Sequence, residues 1–529
     1  MSSIRLPLLG LFALFATLGE GQFVDPPNDL IKKTGYAGVD VRYKEVPTGI
    51  CELNPAVKSY SGYADVAENQ HMFWMFFETR NGDPTTAPLT LWISGGPGAS
   101  SMYELWQELG PCLINSSIEV NNNPYSWNEF SNMIFIDQPI QTGLSYSVPT
   151  PGYVDPEGDT IANLPDNTCS DWASDWDCGK YSRADQTTTA NSTVDAAPNV
   201  WKTLQGFVGV FPPEINLESV LIGNGWYDPL IQNEAYYNFS VQPGNTYDIL
   251  LDKDHAHMMY NAIYGPGNCR GHTLQCYNTG RQDVCQDADN FCSNEVEAIY
   301  KDFLHRDVYD VRELIPDPIP PDWHADYLNT ERIQKAIGAY VNYTSDSAFV
   351  SQSFSDTGDD SRVFSIIQDM RDLVAANLTV VMYFADADFE CKWIGGYAVA
   401  EEIGVSGFEK AGFVNITTGD DIVHGQVKQV GKFSFVRIFE SGHSAPFYQP
   451  LVSMEMVERA INGFDIATGK TKVGPTYQTV GSPTSTYHEG NATVQYEPLP
   501  SDAFYNTTTN EPERPPSRMS QKQHLPWHL

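Results

Sequence analysis

A rhythm limits what this chain can fold into: short apolar runs separated by stretches with helical spacing. The runs are FWMFFET (73–79), LTLWIS (89–94), NMIFID (132–137), SVLIG (219–223), LTVVMYFAD (378–386) and FSFVRIF (433–439). Continuous apolar runs of this length suit strands covered on both faces, and their alternation with helices predicts an α/β sheet. One helix is expected over 193–211, with Val200, Leu204, Phe207 and Phe211 on one face and Pro198 starting or kinking it. Another follows Pro450, with Leu451, Met454, Val457 and Ile461 inward and Gly463 as its stop.

The rhythm breaks in three places. From Ile231 to about Asp326 it gives way to Cys-rich and Tyr-rich sequence, which predicts an insertion forming a cap. A shorter, irregular insertion with Cys169 and Cys178 is expected from Val148 to Ala190. From about Thr471 to Leu529 the chain is rich in Thr, Ser, Pro and Asn, too poor in apolar surface to offset ordering entropy, so an extended or disordered polar tail is expected. The body of the domain is therefore 22–470, with the cap at about 231–326.

Several features point to export. Residues 1–21 combine one Arg, an apolar run from Leu6 to Leu18 and small residues at Gly19 and Gly21, the anatomy of a signal peptide. Nine cysteines fit an oxidising compartment, and Cys269, Cys276, Cys285 and Cys292 crowd into one stretch. Their spacing lacks C-x-x-C pairs, which argues against zinc; no metal or cofactor is expected. Sequons at Asn115, Asn191, Asn238, Asn342, Asn377, Asn415, Asn491 and Asn506 are expected to mark glycan-bearing surface. No later run reaches the roughly 20 apolar residues of a membrane span. A net charge of −36 repels phosphate backbones and anionic lipid, which disfavours nucleic acid and membrane partners. A secreted or vacuolar protein suited to an acidic compartment is expected.

The chemistry gathers at strand ends. "LTLWISGGPGASS" puts Gly95 and Gly96 after a strand, where backbone N–H groups reach a reacting oxygen unobstructed by Cβ, so both are oxyanion-hole candidates. A bare strand-to-loop turn is the plainer alternative. "YFADADFECKWIGG" sets Asp386 and Asp388 beyond a strand's carboxyl end, and "IFESGHSAPFYQP" holds His443 at another. Acid before base, after a glycine-rich turn, is the chain order of an α/β-hydrolase triad.

Six ordered segments, "LWISGGPGASS", "QELGPC", "NPYSWNEFSNMIFIDQPIQTGLSYS", "LIGNGWYDP", "ADADFECKW" and "SGHSAPFYQP", together resemble the serine carboxypeptidases, especially fungal enzymes of the S1 type. The resemblance spans roughly residues 25–465. It implies an α/β-hydrolase fold with a cap and the removal of C-terminal residues from peptides and proteins at acidic pH. By resemblance Asp388 is the triad acid, His443 the base, and Gly96 beside Gly95 the oxyanion donor. Glu108 resembles the carboxyl that binds the substrate's terminal carboxylate, and Cys391 the family's free thiol beside the pocket. Ser94 stands where the family usually has Asn in its substrate-binding site, and Glu390 and Lys392 flank Cys391 where it usually has an apolar residue and Asn.

The nucleophile is missing from this pattern. In the family, a helix ending in "FP" runs on through a strand into G-E-S-Y-x-G-H-Y and a helix before "LIGNG". Here Phe211 and Pro212 are followed at once by Pro213, Glu214 and "INLESVLIGNG". The central strand, the elbow and its helix are not in the sequence. No complete G-x-S-x-G replaces them; "GLSYS" comes nearest, and its Ser145 reads as structural. Ser444 cannot attack across its neighbour's imidazole. Loss of the serine alone costs a triad hydrolase about 10⁶ in kcat. The alternatives are a serine carboxypeptidase lacking a piece, a non-catalytic secreted binder of peptide C-termini, and a truncated product that folds poorly.

Overall fold

All six apolar runs form strands. The computed structural model describes residues 23–489 apart from 156–159, 170–176, 212–215, 242–244, 316–319 and 363–365, and beyond them a strand pair at Tyr505–Asn506 and Glu511–Pro512. The expected signal segment, most of the tail, and the junction at Pro212–Glu214 lie outside the described residues. In chain order the strands are β1 (Ile31–Thr34), β2 (Asp40–Val46), β3 (Ser59–Ala67), β4 (Gln70–Phe77), β5 (Leu89–Trp92), β6 (Cys112–Ile114), β7 (Val120–Asn122), β8 (Asn132–Ile136), β9 (Pro149–Asp155), β10 (Thr160–Asn163), β11 (Cys178–Ser182), β12 (Ser219–Gly223), β13 (Thr379–Ala385), β14 (Val414–Thr417), β15 (Val423–Val430) and β16 (Phe433–Ile438). The helices are α1 (Ser101–Gln107), α2 (Thr193–Val210), α3 (Pro229–Val241), α4 (Lys253–Tyr264), α5 (Cys269–Thr279), α6 (Gln282–Cys292), α7 (Ala298–Leu304), α8 (Trp323–Leu328), α9 (Glu331–Ile337), α10 (Ala348–Ser355), α11 (Ile366–Ala375), α12 (Trp393–Ile403), α13 (Ala445–Tyr448) and α14 (Pro450–Ile461).

The main sheet is in two pieces. One has the order β1-β2-β3-β4-β8-β5 and the other β12-β13-β16-β15-β14. Strand β5 runs parallel to β8, and β12, β13 and β16 are mutually parallel, so each piece ends on a parallel strand. Parallel strands normally lie covered on both faces. Strand β8 is buried at every residue, whereas all four residues of β5 and all five of β12 are only half-buried. Next to them, Ile93 and Leu217 are 43% and 56% exposed. Among the described residues, nothing pairs with the outer edge of either strand.

Side chains alternate across the strands with period 2. One set, including Phe73, Met75 and Phe135 from the first piece and Val381, Tyr383 and Val436 from the second, joins a single core under α1, α8, α9 and α14. The opposite set is divided. Trp74, Phe76 and Ile134 pack with Phe207 and Val208 of α2, while Val380, Phe384 and Phe435 pack with the cap helices and α12.

Local signals account for most helix limits. The Ser192 side chain accepts from the Asp195 N–H at the start of α2, and Pro198 lies inside that helix rather than starting it. Helix α14 buries Val452, Ser453, Met456, Val457 and Ala460, leaving Leu451, Met454 and Ile461 half-buried. The expected apolar stripe is thus displaced by about one residue, because the Pro450 entry presents the Val452–Met456–Ala460 row to the core. Segment 148–190 is not irregular: it forms an antiparallel sheet, β10-β9-β11, which Pro149 and Pro151 inside β9 hide from a pattern search. The cap region is helical, with α5 and α6 stapled by Cys276–Cys285 and by Cys269–Cys292 at their outer ends. Cys51–Cys112 and Cys169–Cys178 complete four disulfides, and Cys391 is free. Residues 471–489 lie against the body, Tyr487 stacking on Phe439 at 3.8 Å. No helix among the described residues is long and apolar enough to cross a membrane.

Of the sequons, Asn238, Asn377 and Asn415 are exposed. Asn342 is a correction: it is 4% exposed, its carbonyl accepts the Lys180 N–H at 2.9 Å, and its side chain packs on Gly179, so it is not a surface position.

Candidate active site

The ends of β12, β13 and β16 assemble one wall. Beyond β13, the two candidate acids have separate fates. Asp386 is buried, accepts the Tyr247 hydroxyl at 2.9 Å and pairs with Arg437 at 3.6 Å, which makes it a structural group. Asp388 is also buried, and its Oδ2 lies 2.7 Å from Nδ1 of His443. Its Oδ1 accepts the Cys391 N–H at 2.9 Å, which fixes the carboxylate's orientation. Burial works to lower the His443 pKa, but the charge and hydrogen bond of Asp388 outweigh it and raise the imidazole above its ordinary value. With Nδ1–H directed at Asp388, Nε2 is left to act as a base.

Asn224, just past β12 at φ 45°, ties this wall together. Its amide N–H donates to the His443 carbonyl, and its Oδ1 accepts the Ala385 N–H at 2.9 Å. The quoted "LIGNG" motif contained this residue, but only the fold discloses its bridging role.

The facing wall is the turn after β5. Gly96 adopts φ 108°, where a Cβ would meet the Gly98 and Ala99 nitrogens at 2.8 Å, so only glycine fits. Gly95 is exposed, with open space where its Cβ would stand. Both meet the steric requirement of an oxyanion donor. Ser94 is buried; its N–H donates to Ser101 Oγ at 2.8 Å and its hydroxyl donates to Glu104 Oε1 at 2.6 Å.

Glu104 was not singled out in the sequence. It precedes Glu108, the residue that caps α1, by four positions, and the two carboxyls lie close enough to interact. Burial pushes Glu104 up to about 7. Burial, and then the neighbouring Glu104, drive Glu108 well above the carboxylate range, with a hydrogen bond from Ser444 opposing them. Tyr103 closes the join to the first wall, its hydroxyl 3.4 Å from Ser444 Oγ. The structure thus brings Ser94, Glu108, Ser444, His443, Asp388 and Cys391 into one contiguous site.

Cys391 is half-buried, and burial followed by the charges of Asp388 and Glu390 pushes its thiol well above the ordinary value. A protonated thiol is a poor nucleophile, and no hydrogen bond joins Cys391 Sγ to His443 among the described residues. Lys392 is buried with Nζ 2.9 Å from the centre of the Tyr236 ring, and burial lowers it to about 8. Asp388, Cys391 and His443 also present ligand atoms within 4.8 Å of one another, the set among the described residues that could approach a metal ion, but the Asp388–His443 hydrogen bond already occupies two of those atoms.

Ser145 is buried, donating to the Asp137 carbonyl and accepting the Phe73 N–H, both at 2.7 Å, in keeping with a structural role. Among the described residues, no serine is hydrogen-bonded to Nε2 of His443.

The serine carboxypeptidase family model matches residues 49–463. This chain belongs to the serine carboxypeptidase family. It is 31% identical to Carboxypeptidase S1 of Penicillium janthinellum, over 78% of this chain and 97% of that protein. It is 30% identical to Carboxypeptidase S1 homolog A of Arthroderma otae, over 94% of this chain and 87% of that protein. In three dimensions it is similar to Kex1(delta)p, a prohormone-processing carboxypeptidase from Saccharomyces cerevisiae, with a TM-score of 0.61 at 17% identity over 79% of this chain and 95% of the other. The fold is that of an α/β-hydrolase, and the family membership of the serine carboxypeptidase chain supports a carboxypeptidase function.

Proposed function

We propose that this chain carries the peptide-binding and acid–base apparatus of an acid-acting serine carboxypeptidase, and that as written it binds peptide C-termini without cleaving them. The carrying observation is the Asp388–His443 pair, 2.7 Å apart, beside a sheet that is open between β5 and β12. In this family's order the nucleophile's strand belongs between these two. A parallel strand inserted there would cover the half-bare edges, and the helix after its elbow would bridge the two separate cores on the divided face. The match to the Arthroderma otae relative extends over 582 aligned positions, more than the 529 residues of this chain, in keeping with residues that the relative has and this chain lacks.

Without the serine, the remaining groups retain roughly 10³–10⁴ over water, from binding and the oxyanion hole. Peptide bonds then persist on biological timescales. Four disulfides support a location outside the reducing cytosol, secreted or vacuolar, with glycans at exposed sequons such as Asn238 and Asn377. The purified chain is expected to bind peptides bearing a free C-terminus and to remain unlabelled by a fluorophosphonate probe. Labelling together with release of terminal residues would show that a serine elsewhere does the work.

A further inference from the structure

We infer that Glu104 is a second carboxyl, beside Glu108, that hydrogen-bonds the terminal carboxylate of a bound peptide. The inference rests on the C-terminus-binding reading above. Glu104 lies in α1 and Glu108 caps it, the Glu108 N–H donating to the Glu104 carbonyl, so the two carboxyls are neighbours, next to Ser94 and the exposed Gly95. Oε1 of Glu104 is held by the Ser94 hydroxyl at 2.6 Å, whereas Oε2 is buried with no partner. The indole N–H of Trp92, at the end of β5, faces this carboxyl and favours its ionisation as a weak hydrogen-bond donor. A buried carboxyl oxygen held only by such a weak contact gains from a stronger partner, which a ligand can supply.

The proton content of the site selects the ligand. Burial keeps Glu104 uncharged up to about 7, and burial with the neighbouring Glu104 drives Glu108 well above the carboxylate range, so both are hydrogen-bond donors under acidic conditions. Two neutral acids form a donor set suited to an anion. A cation would require both acids to ionise side by side, which their mutual repulsion opposes. A peptide carboxylate ionises near pH 3.5. Below that the ligand loses its charge, and above about 7 Glu104 loses its proton. Tightest binding falls between the two. The titratable groups facing Glu104 are Tyr103 of α1, Glu108 at its C-cap, Tyr383 of β13 and His443, of which His443 is the one that becomes cationic.

The test uses the full chain and a fluorescent peptide with a free C-terminus, compared with its C-terminal amide by anisotropy from pH 4.5 to 8. Wild type is expected to bind the acid about 10-fold or more tighter at pH 5 than at pH 8, the worth of a hydrogen bond to a charged group. Glu104→Gln, an isosteric and permanent N–H donor, is expected to hold its affinity through pH 8. Glu104→Ala is expected to lose about 10-fold at pH 5, with thermal melts of both variants confirming folding. Glu108→Gln should weaken binding yet keep the decline near 7. If Glu104→Gln declines with pH as wild type does, His443 drives the effect and the inference falls. It falls equally if folded Glu104→Ala binds as wild type. If wild type does not prefer the acid to the amide at any pH, the C-terminus-binding reading itself fails.

Discussion

The two faces of the divided sheet differ in a way that locates the missing part. On one face, side chains from β4, β8, β13 and β16 enter a single apolar core that continues beneath α1 and α14. On the other, the same four strands feed two cores, one under α2 and one under the cap, with no shared members. An α/β sheet requires cover on both sides. The continuous face can hold the halves together, and the interrupted face is where the proposed reading puts the missing strand and helix. On the reading proposed above, catalytic loss and structural loss would share one address in the sequence, between Phe211 and Leu217.

The comparison is broken most forcefully by filling the gap. Grafting a strand, a G-E-S-Y elbow and a helix of some tens of residues between Pro212 and Glu214 is expected to raise peptide hydrolysis about 10⁶-fold, assayed as release of C-terminal amino acids. A folded graft that remains inactive would mean that His443 and the Gly95–Gly96 turn are not set for catalysis.

A smaller effect compares neighbouring strands. Ile134 in β8 is fully buried, and Ile134→Ala is expected to cost about 2–5 kcal/mol in urea unfolding. Leu91 in β5 packs on the same core but is half-buried, so Leu91→Ala should cost about half as much or less. In the grafted chain the two costs should converge. Equal costs in the present chain would mean that β5 is already covered.

The last effect, spread over several groups, is on stability with pH. Burial raises Asp137 and Asp289 to about 6, and Glu104, Glu313 and Asp360 to about 7, all above their unfolded values near 4. Groups raised in this way bind more protons in the folded state. Their stabilisation is complete below about pH 4 and is lost as pH rises through 6 to 7. His443, also raised, acts in the same direction. The melting temperature should therefore fall between pH 5 and pH 8, and Glu104→Gln should reduce the fall; a rise over that interval would contradict the assignment.

Much of this was legible in the sequence because its signals are local. Run 219–223 became β12 residue for residue, and the other five strands matched within a few residues. Strands β1 to β3 escaped notice because a twisted antiparallel edge with mixed side chains, such as the half-polar β2, carries its information in cross-strand pairing. The choice between Asp386 and Asp388 could not be made from spacing, since Arg437 and Tyr247, which claim the first, come from distant segments. Glu104 left a trace that could have been read, an acid one helical turn before Glu108. Its importance depends on burial, which composition does not report.

Strands β5 and β12 also have a consequence for handling the protein. Among the described residues each presents an unpaired ladder of amide and carbonyl groups, flanked by Ile93 or Leu217, to any extended polypeptide it encounters. Copies of the chain can satisfy one another at these ladders, so shelf life will depend on how concentrated the sample is, and self-association will precede thermal unfolding as the route of loss.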